Sequence, residues 1–210
     1  GKPRQRDVKT GSECAVRKTT EVIVNDWNVF IAMVDVSKIT KLDLCGTMVN
    51  SILTPKMNDD DAHELVERIN DCESLRILDL SRNNLTDAFG VALKTAVAAH
   101  TTLVKLDLDE NKFGEKTGVA LGEALTTNTS LHTLTLYHNK LREKGGAAII
   151  RGLESNTTLR VLALNENNLG ENFGVAIQDD LAHNTGLHTL YLGFNDLGDE
   201  GGAAIIRGLN

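Results

Sequence analysis

Residues 75–85 read LRILDLSRNNL, and the spacing of their leucines decides the fold. The same spacing returns every 28 residues, in register and without a gap, until five copies are complete. The strand leucines of the copies stand at positions 75, 78 and 80; 103, 106 and 108; 131, 134 and 136; 159, 162 and 164; and 187, 190 and 192. A fixed period of this length predicts a stack of structural repeats.

The second half of each copy predicts a helix. Glycine stands at 90, 118, 146, 174 and 202, alanine follows two residues later, and aliphatic residues come one and five residues after that alanine. Steps of three and four residues mark one buried helical face, and its small residues allow close approach to neighbouring helices. Each unit is therefore expected to be a short strand, a turn and a helix.

Stacking such units predicts the fold class. Neighbouring strands need about 4.8 Å, whereas packed helices need about 10 Å. Because the two sides differ in width, the stack must curve. We expect an α/β fold, a curved α/β solenoid in the form of a horseshoe, with a parallel sheet on the concave side and helices on the convex side.

One asparagine stands three residues after the last strand leucine of every copy: Asn83, Asn111, Asn139, Asn167 and Asn195. A side-chain amide carries both donors and an acceptor. We expect this structural asparagine ladder to satisfy backbone groups where the chain leaves each strand. Three glycosylation sequons begin at Asn84, Asn128 and Asn156, and because they recur with the repeat we interpret them as by-products of structural positions.

A longer period of two units is also present. Residues 139–153 read NKLREKGGAAIIRGL, and residues 195–209 read NDLGDEGGAAIIRGL, 56 positions later. The second and fourth copies share EN…GVA. The duplicated text covers turn and helix, while the strand text differs, so we expect it to be scaffold and not site.

The pattern L-x-x-L-x-L-x-x-N-x-L resembles the leucine-rich repeats of the ribonuclease-inhibitor-like class. The resemblance covers 75–209, and residues 139–177 are particularly similar to repeats of NOD-like receptors, tropomodulin and Ran GTPase activating proteins. This resemblance implies the horseshoe fold and a role in binding other proteins. It does not choose among those families.

The two ends of the chain depart from the pattern. Residues 1–19 carry six lysines and arginines against two acids and are expected to be a basic flexible tail. Residues 20–38 are expected to form an N-terminal cap, as a helix that begins at Asn25 or Asp26, or alternatively as strands at 21–24 and 29–36. Residues 39–74 are interpreted as an irregular first repeat with an eight-residue insertion, and residues 75–210 as five 28-residue repeats. The fifth helix ends the chain without a polar cap, which suggests either a fragment or an end that self-associates.

Composition excludes several functions. The formal net charge of −7 argues against nucleic-acid binding, and the chain has no apolar run long enough for a membrane span. The three cysteines suit a reducing, cytoplasmic location. Because the known catalytic motifs and metal-ligand spacings are missing, we expect no enzyme activity, no metal and no cofactor. His132 and His188 share one repeat position and are interpreted as duplicated strand text.

Function is expected on the concave face, where strand positions vary between copies. Its aromatic part comprises Tyr137, His138, Tyr191 and Phe194, and its acidic part comprises Asp79, Asp107, Asp109 and Glu110. Exposed aromatic residues on a rigid sheet are typical of protein-binding surfaces, although solenoid strands can also carry such residues without a role.

The sequence therefore predicts a non-enzymatic protein-interaction module that binds a partner protein on its concave face. One alternative is the sensing or autoinhibitory repeat part of a NOD-like immune receptor. A second is a GTPase-activating or actin-associated regulator of the same repeat class.

Overall fold

The computed structural model describes residues 15–16, 21–23, 40–44, 48–49, 52–53 and 56–209. Its strands are β1 Ala15–Val16, β2 Glu21–Ile23, β3 Lys41–Asp43, β4 Met48–Val49, β5 Ile52–Leu53, β6 Ile77–Asp79, β7 Lys105–Asp107, β8 Thr133–Thr135, β9 Val161–Ala163 and β10 Thr189–Tyr191. Its helices are α1 Asp59–Asp71, α2 Asp87–Ala99, α3 Glu115–Leu125, α4 Arg142–Gly152, α5 Phe173–His183 and α6 Gly198–Gly208.

One sheet runs through the molecule in the order β1-β2-β3-β6-β7-β8-β9-β10. β1 is antiparallel to β2, and each later pair in this sheet is parallel. The register places equivalent leucines opposite each other, as Leu78 is to Leu106 and Leu134 is to Leu162. Strand and helix alternate along the described repeats, so the predicted curved α/β solenoid is confirmed.

The core is aliphatic and continuous. In β6 to β9 the middle residue is buried and its two neighbours are partly exposed, because alternate side chains of a strand point to opposite faces. The buried side is closed by the helices, which contribute residues such as Leu93, Leu121 and Ile149. The other side of the sheet stays open and forms the concave face.

Two pairs of helices approach each other through glycine. A Cβ placed on Gly118 of α3 would lie 2.4 Å from the Cα of Gly145 in α4. A Cβ on Gly174 of α5 would lie 2.0 Å from the carbonyl oxygen of Gly201 in α6. Real Cβ atoms do not come this near, so both positions require glycine. Gly145 and Gly201 belong to the segment that occurs twice in the sequence, at 139–153 and 195–209. The duplication therefore repeats the same contact between neighbouring helices.

The other helix contacts use a larger residue at the same place. Gly90 of α2 faces the side chain of Thr117, whose Oγ1 would lie 2.1 Å from an added Cβ. Gly146 of α4 faces Phe173, whose ring would lie 2.9 Å away. Each repeat glycine therefore receives the residue that precedes the glycine of the next repeat. That residue is alternately large and small along the stack, which gives the two-unit period a structural cause.

The five asparagines of the ladder are buried and join consecutive repeats. In Asn139, for example, Oδ1 accepts from Phe113 N at 3.0 Å, while Nδ2 donates to Leu108 O at 3.0 Å and Leu136 O at 3.2 Å. Each such side chain satisfies a backbone donor of one turn and carbonyls of two strands, which is the geometry that the sequence pattern predicts.

A second asparagine column lies at the other end of the helices and was not predicted from the sequence. Asn156 Nδ2 donates to Leu125 O at 2.8 Å and Asn128 O at 3.0 Å, and its Oδ1 accepts from Thr158 N and Leu159 N, both at 2.9 Å. Asn128 and Asn184 repeat this arrangement. Asn128 and Asn156 are buried, so two of the three sequons are structural positions, as interpreted.

The insertion in the first repeat falls between Leu44 and Met57. These residues are 13 positions apart, whereas the equivalent Leu80 and Leu85 are 5 apart. The antiparallel pair β4–β5 occupies the extra length. Asn83 restores the register beyond it, because its Nδ2 donates to Leu44 O at 2.9 Å and its Oδ1 accepts from Met57 N at 2.8 Å.

The region before the first repeat is described only in part. Ala15 and Val16, which the sequence places in the flexible tail, instead form β1 and pair with β2. Residues 21–23 form a strand, as in the alternative interpretation of the cap. The helix expected from Asn25 or Asp26, together with Cys14 and Cys45, lies outside the described residues.

Candidate partner-binding face

The candidate side chains come from three positions of each repeat. Asp79, Asp107 and Tyr191 end their strands, and Asp109 and Tyr137 follow two residues after a strand end. The next residue of each copy was also expected on the concave face. That residue has a left-handed backbone in every copy, with φ of 60° at Arg82, 51° at Glu110, 52° at His138, 53° at Glu166 and 57° at Phe194. Such a residue reverses the local alternation, which allows two consecutive side chains to project from one face.

Tyr137 and His138 are joined by Glu166 of the next repeat. Tyr137 donates its hydroxyl to Glu166 Oε1 at 2.9 Å, and His138 Nδ1 lies 2.7 Å from Glu166 Oε2. The two rings are 5.8 Å apart and tilted by 48°. The hydrogen bonds from His138 and Tyr137 lower the pKa of Glu166, and the bond to Glu166 raises the pKa of Tyr137. Glu166 was missed from the sequence, although residues 28 positions apart are neighbours in this fold.

Tyr191 and Phe194 are the exposed aromatic residues of the last repeat. The exposed fraction is 51% for Tyr191 and 84% for Phe194. Among the described residues, the ring contacts are Tyr137 with His138 on this face and Phe89 with Phe113 in the core. The ring contact on this face therefore joins Tyr137 to His138 and includes neither Tyr191 nor Phe194.

The acidic part follows the sheet register. Asp43, Asp79 and Asp107 are directly opposite each other on the adjacent strands β3, β6 and β7. Asp79 accepts from Ser81 Oγ at 2.7 Å and Ser81 N at 3.0 Å. Burial raises the pKa of Asp79, against the lowering effect of those two bonds.

Asp109 follows Asp107 by two residues and connects the acidic part of the face to the aromatic part. Its Oδ1 accepts from Tyr137 N at 2.7 Å, so it helps to position the tyrosine. Burial, and next the charge of Asp107, raise the pKa of Asp109 to about 6. Its carboxylate is therefore held where charge is disfavoured, first because the group is removed from water and second because Asp107 is near.

Basic residues balance part of this charge. Lys105 Nζ lies 3.3 Å from Asp107, Lys41 Nζ lies 3.9 Å from Asp43, and Arg82 Nε lies 2.9 Å from Glu110 Oε1. The two lysines start their strands, at the third position of the repeat. Acidic residues remain in excess on this half of the face.

The remaining histidines of interest have structural contacts. His132 Nδ1 lies 2.7 Å from Ser130 O, and His188 Nδ1 lies 2.8 Å from Gly186 O, which agrees with duplicated strand text. In the described part of the chain, no cluster of three or more metal-ligating side chains is present. Within the same residues, no helix is long and apolar enough to cross a bilayer.

Comparisons with known proteins agree with this architecture. The leucine-rich repeat family model matches residues 71–93, 155–172 and 183–205. No curated protein sequence matches the chain. The solved structure of leiomodin-1 actin-binding site 2 superposes with a TM-score of 0.59 at 24% identity, over 70% of this chain and 88% of that chain. The tropomodulin C-terminal domain of Caenorhabditis elegans gives a TM-score of 0.55 at 16% identity, over 70% of this chain and 93% of that chain.

The repeats, the sheet and these matches define the class of protein. The chain contains leucine-rich repeats, as the leucine and asparagine spacing predicted, and its strand-turn-helix units have the fold expected for the ribonuclease-inhibitor-like class. At these identities the two solved structures are similar to this chain in fold.

Proposed function

We propose that this protein is a non-enzymatic interaction module that binds a partner protein on its concave face. The observation that carries the proposal is the exposure of Tyr191 on a hydrogen-bonded strand and of Phe194 in the turn that follows it. Large aromatic side chains in such a setting are the residues that anchor protein interfaces, because they bury much surface at little cost in conformational entropy.

The rigidity of the face supports this proposal. Tyr137 is fixed from both sides, through its backbone by Asp109 and through its hydroxyl by Glu166. The asparagine ladder holds the turns that present these residues. A face that is already ordered loses little entropy when a partner binds.

The proposal is tested by affinity capture with two matched triple variants. The first, Tyr137→Ser/Tyr191→Ser/Phe194→Ser, removes the aromatic anchors. The second replaces three exposed valines of the helical side by serine: Val91, Val119 and Val175, which are 46%, 41% and 54% exposed. Both variants lose three largely apolar side chains, so similar changes in nonspecific binding are expected.

The proposal requires that a protein held by the wild type is lost with the aromatic variant and kept with the valine variant. Circular dichroism must first show that both variants are folded. Loss of the captured protein with the valine variant alone would move the site to the helices and refute the concave assignment.

Actin association is the alternative that a specific observation supports. A solved structure with the same fold is titled as an actin-binding site of leiomodin-1. Sedimentation with actin filaments and binding of labelled actin monomers test it directly. If neither form binds at concentrations where a leiomodin control does, this alternative fails. The immune-receptor and GTPase-activator alternatives remain predictions.

A cytoplasmic location is part of the proposal. The sequon asparagines Asn128 and Asn156 are buried and bonded to backbone, so a glycan would disrupt the repeat. Cys72 is a free buried thiol. Cell fractionation should recover the endogenous protein in the cytoplasm. Treatment with glycosidase should leave its electrophoretic mobility unchanged.

A further inference from the structure

We propose that the partner presents a lysine- or arginine-rich segment, one basic side chain of which lies over Ile77 with its charge at Asp79. This inference rests on the proposed function and adds the chemical class of the partner. It follows from the register of three neighbouring strands.

The first step is a comparison of β3, β6 and β7. Each of these strands ends in an aspartate, and the three aspartates are directly opposite each other. Lys41 begins β3 and Lys105 begins β7, and each lies near the aspartate of its own strand. β6 begins instead with Ile77, so Asp79 has no lysine at the position where both neighbours have one.

The second step is the charge of the surroundings. Adjacent strands are about 4.8 Å apart, so Asp79 stands between two further carboxylates at short range. The half of the face that runs from β3 to Glu110 carries five acidic residues, against the three basic residues Lys41, Arg82 and Lys105. A positive charge placed at Asp79 relieves repulsion among groups that the fold already holds together.

Ile77 occupies the position at which β3 and β7 have a lysine. Ile77 is partly exposed beside Asp79. Lysine and arginine carry an apolar stem that packs on aliphatic surface while the charged end stays polar. An incoming basic side chain therefore finds an aliphatic surface for its stem and, as Lys41 and Lys105 do within the chain, a carboxylate for its charge.

Charge complementarity also separates the possible occupants. A second copy of this chain and a nucleic acid are both negatively charged, and each is repelled by the face. A basic segment of a partner protein is attracted and steered toward it. The partner then continues toward the aromatic part of the face, since Asp109 connects the acidic part to Tyr137.

The test supplies the missing lysine within the chain itself. Ile77→Lys completes the row of lysines and occupies the place proposed for the partner. Val161→Lys is the matched control, because Val161 begins β9 at the same repeat position and the charge change is identical. Binding of a fluorescent deca-arginine peptide is measured by anisotropy at low and physiological salt, with a deca-glutamate peptide as the reversed-charge probe.

The expected result is that the wild type binds deca-arginine and not deca-glutamate, with affinity that falls as salt rises. Ile77→Lys should weaken binding by about tenfold, and Val161→Lys should change it less than about twofold. Asp79→Asn, with Glu67→Gln on α1 as its control, should reproduce the loss without adding a side chain. Equal losses for the two lysine variants, or no loss for Asp79→Asn, would overturn the inference.

Two further outcomes are distinguishable. If the partner captured by the wild type is kept by Ile77→Lys and lost by the aromatic triple variant, the basic-segment inference fails and the proposed function stands. If neutralising Lys2, Arg4, Arg6 and Lys9 raises deca-arginine affinity several-fold, the basic tail of this chain competes for the face. That result would overturn the assignment of the face to a separate partner.

Discussion

Replacement of Asn139 by alanine isolates the contribution of one member of the asparagine ladder. The side chain is buried and makes four hydrogen bonds, one as acceptor and three as donor. Alanine removes all four.

The expected loss follows from which partners have a second bond. Leu108 O also accepts from Asn111, Leu136 O also accepts from Asn167, and Tyr137 O also accepts from a backbone amide. These carbonyls remain bonded after the substitution. Phe113 N–H instead loses the acceptor that Asn139 provides. One unsatisfied buried donor costs about 1–3 kcal/mol, so we expect unfolding free energy to fall by about 2 kcal/mol.

Urea denaturation followed by circular dichroism measures this change. Asn165→Ala is the matched control, since Asn165 is a partly exposed asparagine two residues before a member of the ladder. The control should lose less than about 0.5 kcal/mol. If the two variants were equally stable, the ladder would be a packing feature without energetic weight, and the reasoning from hydrogen-bond partners would be refuted.

Three more predictions concern helix contacts, titration and the face. Gly118→Ala should destabilise by about 3 kcal/mol because its Cβ meets backbone, whereas Gly202→Ala, with open space around it, should gain about 0.5–1 kcal/mol; thermal melts of the pair compare them. The pKa of Asp109 is raised to about 6 in the folded protein, so ionisation of this carboxyl opposes folding. The free energy of unfolding should therefore fall as pH rises from about 4 to 7. In urea titrations, Asp109→Asn should be more stable than wild type at pH 7 and equal to it near pH 4. Tyr137→Ser/Tyr191→Ser should melt within a few degrees of wild type, and a drop as large as that of the ladder variant would contradict the exposure of these side chains.

Self-association through the last helix remains a prediction. Ile206 and Leu209 of this region are largely exposed, and exposed apolar side chains can pair copies. Light scattering over a range of concentrations should show a mass above one chain if they do. A constant monomer mass would dismiss this prediction.

The sequence predicted the features that repeat strictly. Strand leucines and ladder asparagines recur with the same residue type, so periodicity alone places them in the sheet and its turns. The second asparagine column is not evident from the sequence because two of its positions carry other residues. Position 100 carries a histidine, whose Nδ1 accepts from Leu103 N at 3.2 Å as the asparagine oxygens do, and position 72 carries a cysteine.

The geometry of the face was less predictable. Arg, Glu and Phe have no preference for a left-handed backbone, so the identity of these residues does not indicate the turn that they occupy. That turn is imposed by the bonds of the neighbouring asparagines. The link from Tyr137 to Glu166 likewise depends on side-chain direction, which spacing does not specify.

The contacts of the repeat glycines have a consequence for the opposite side of the molecule. Hydrogen bonds fix the distance between strands, but the distance between helices depends on one residue per repeat, such as Phe173 between α4 and α5 or Gly145 between α3 and α4. The ratio of the two distances sets the local radius of the horseshoe. A smaller residue at 173 would draw two helices together and flatten the arc there, with every side chain of the inner surface unchanged. Substitutions between the helices of the convex side can therefore change the curvature of the concave face, and with it the fit to a partner.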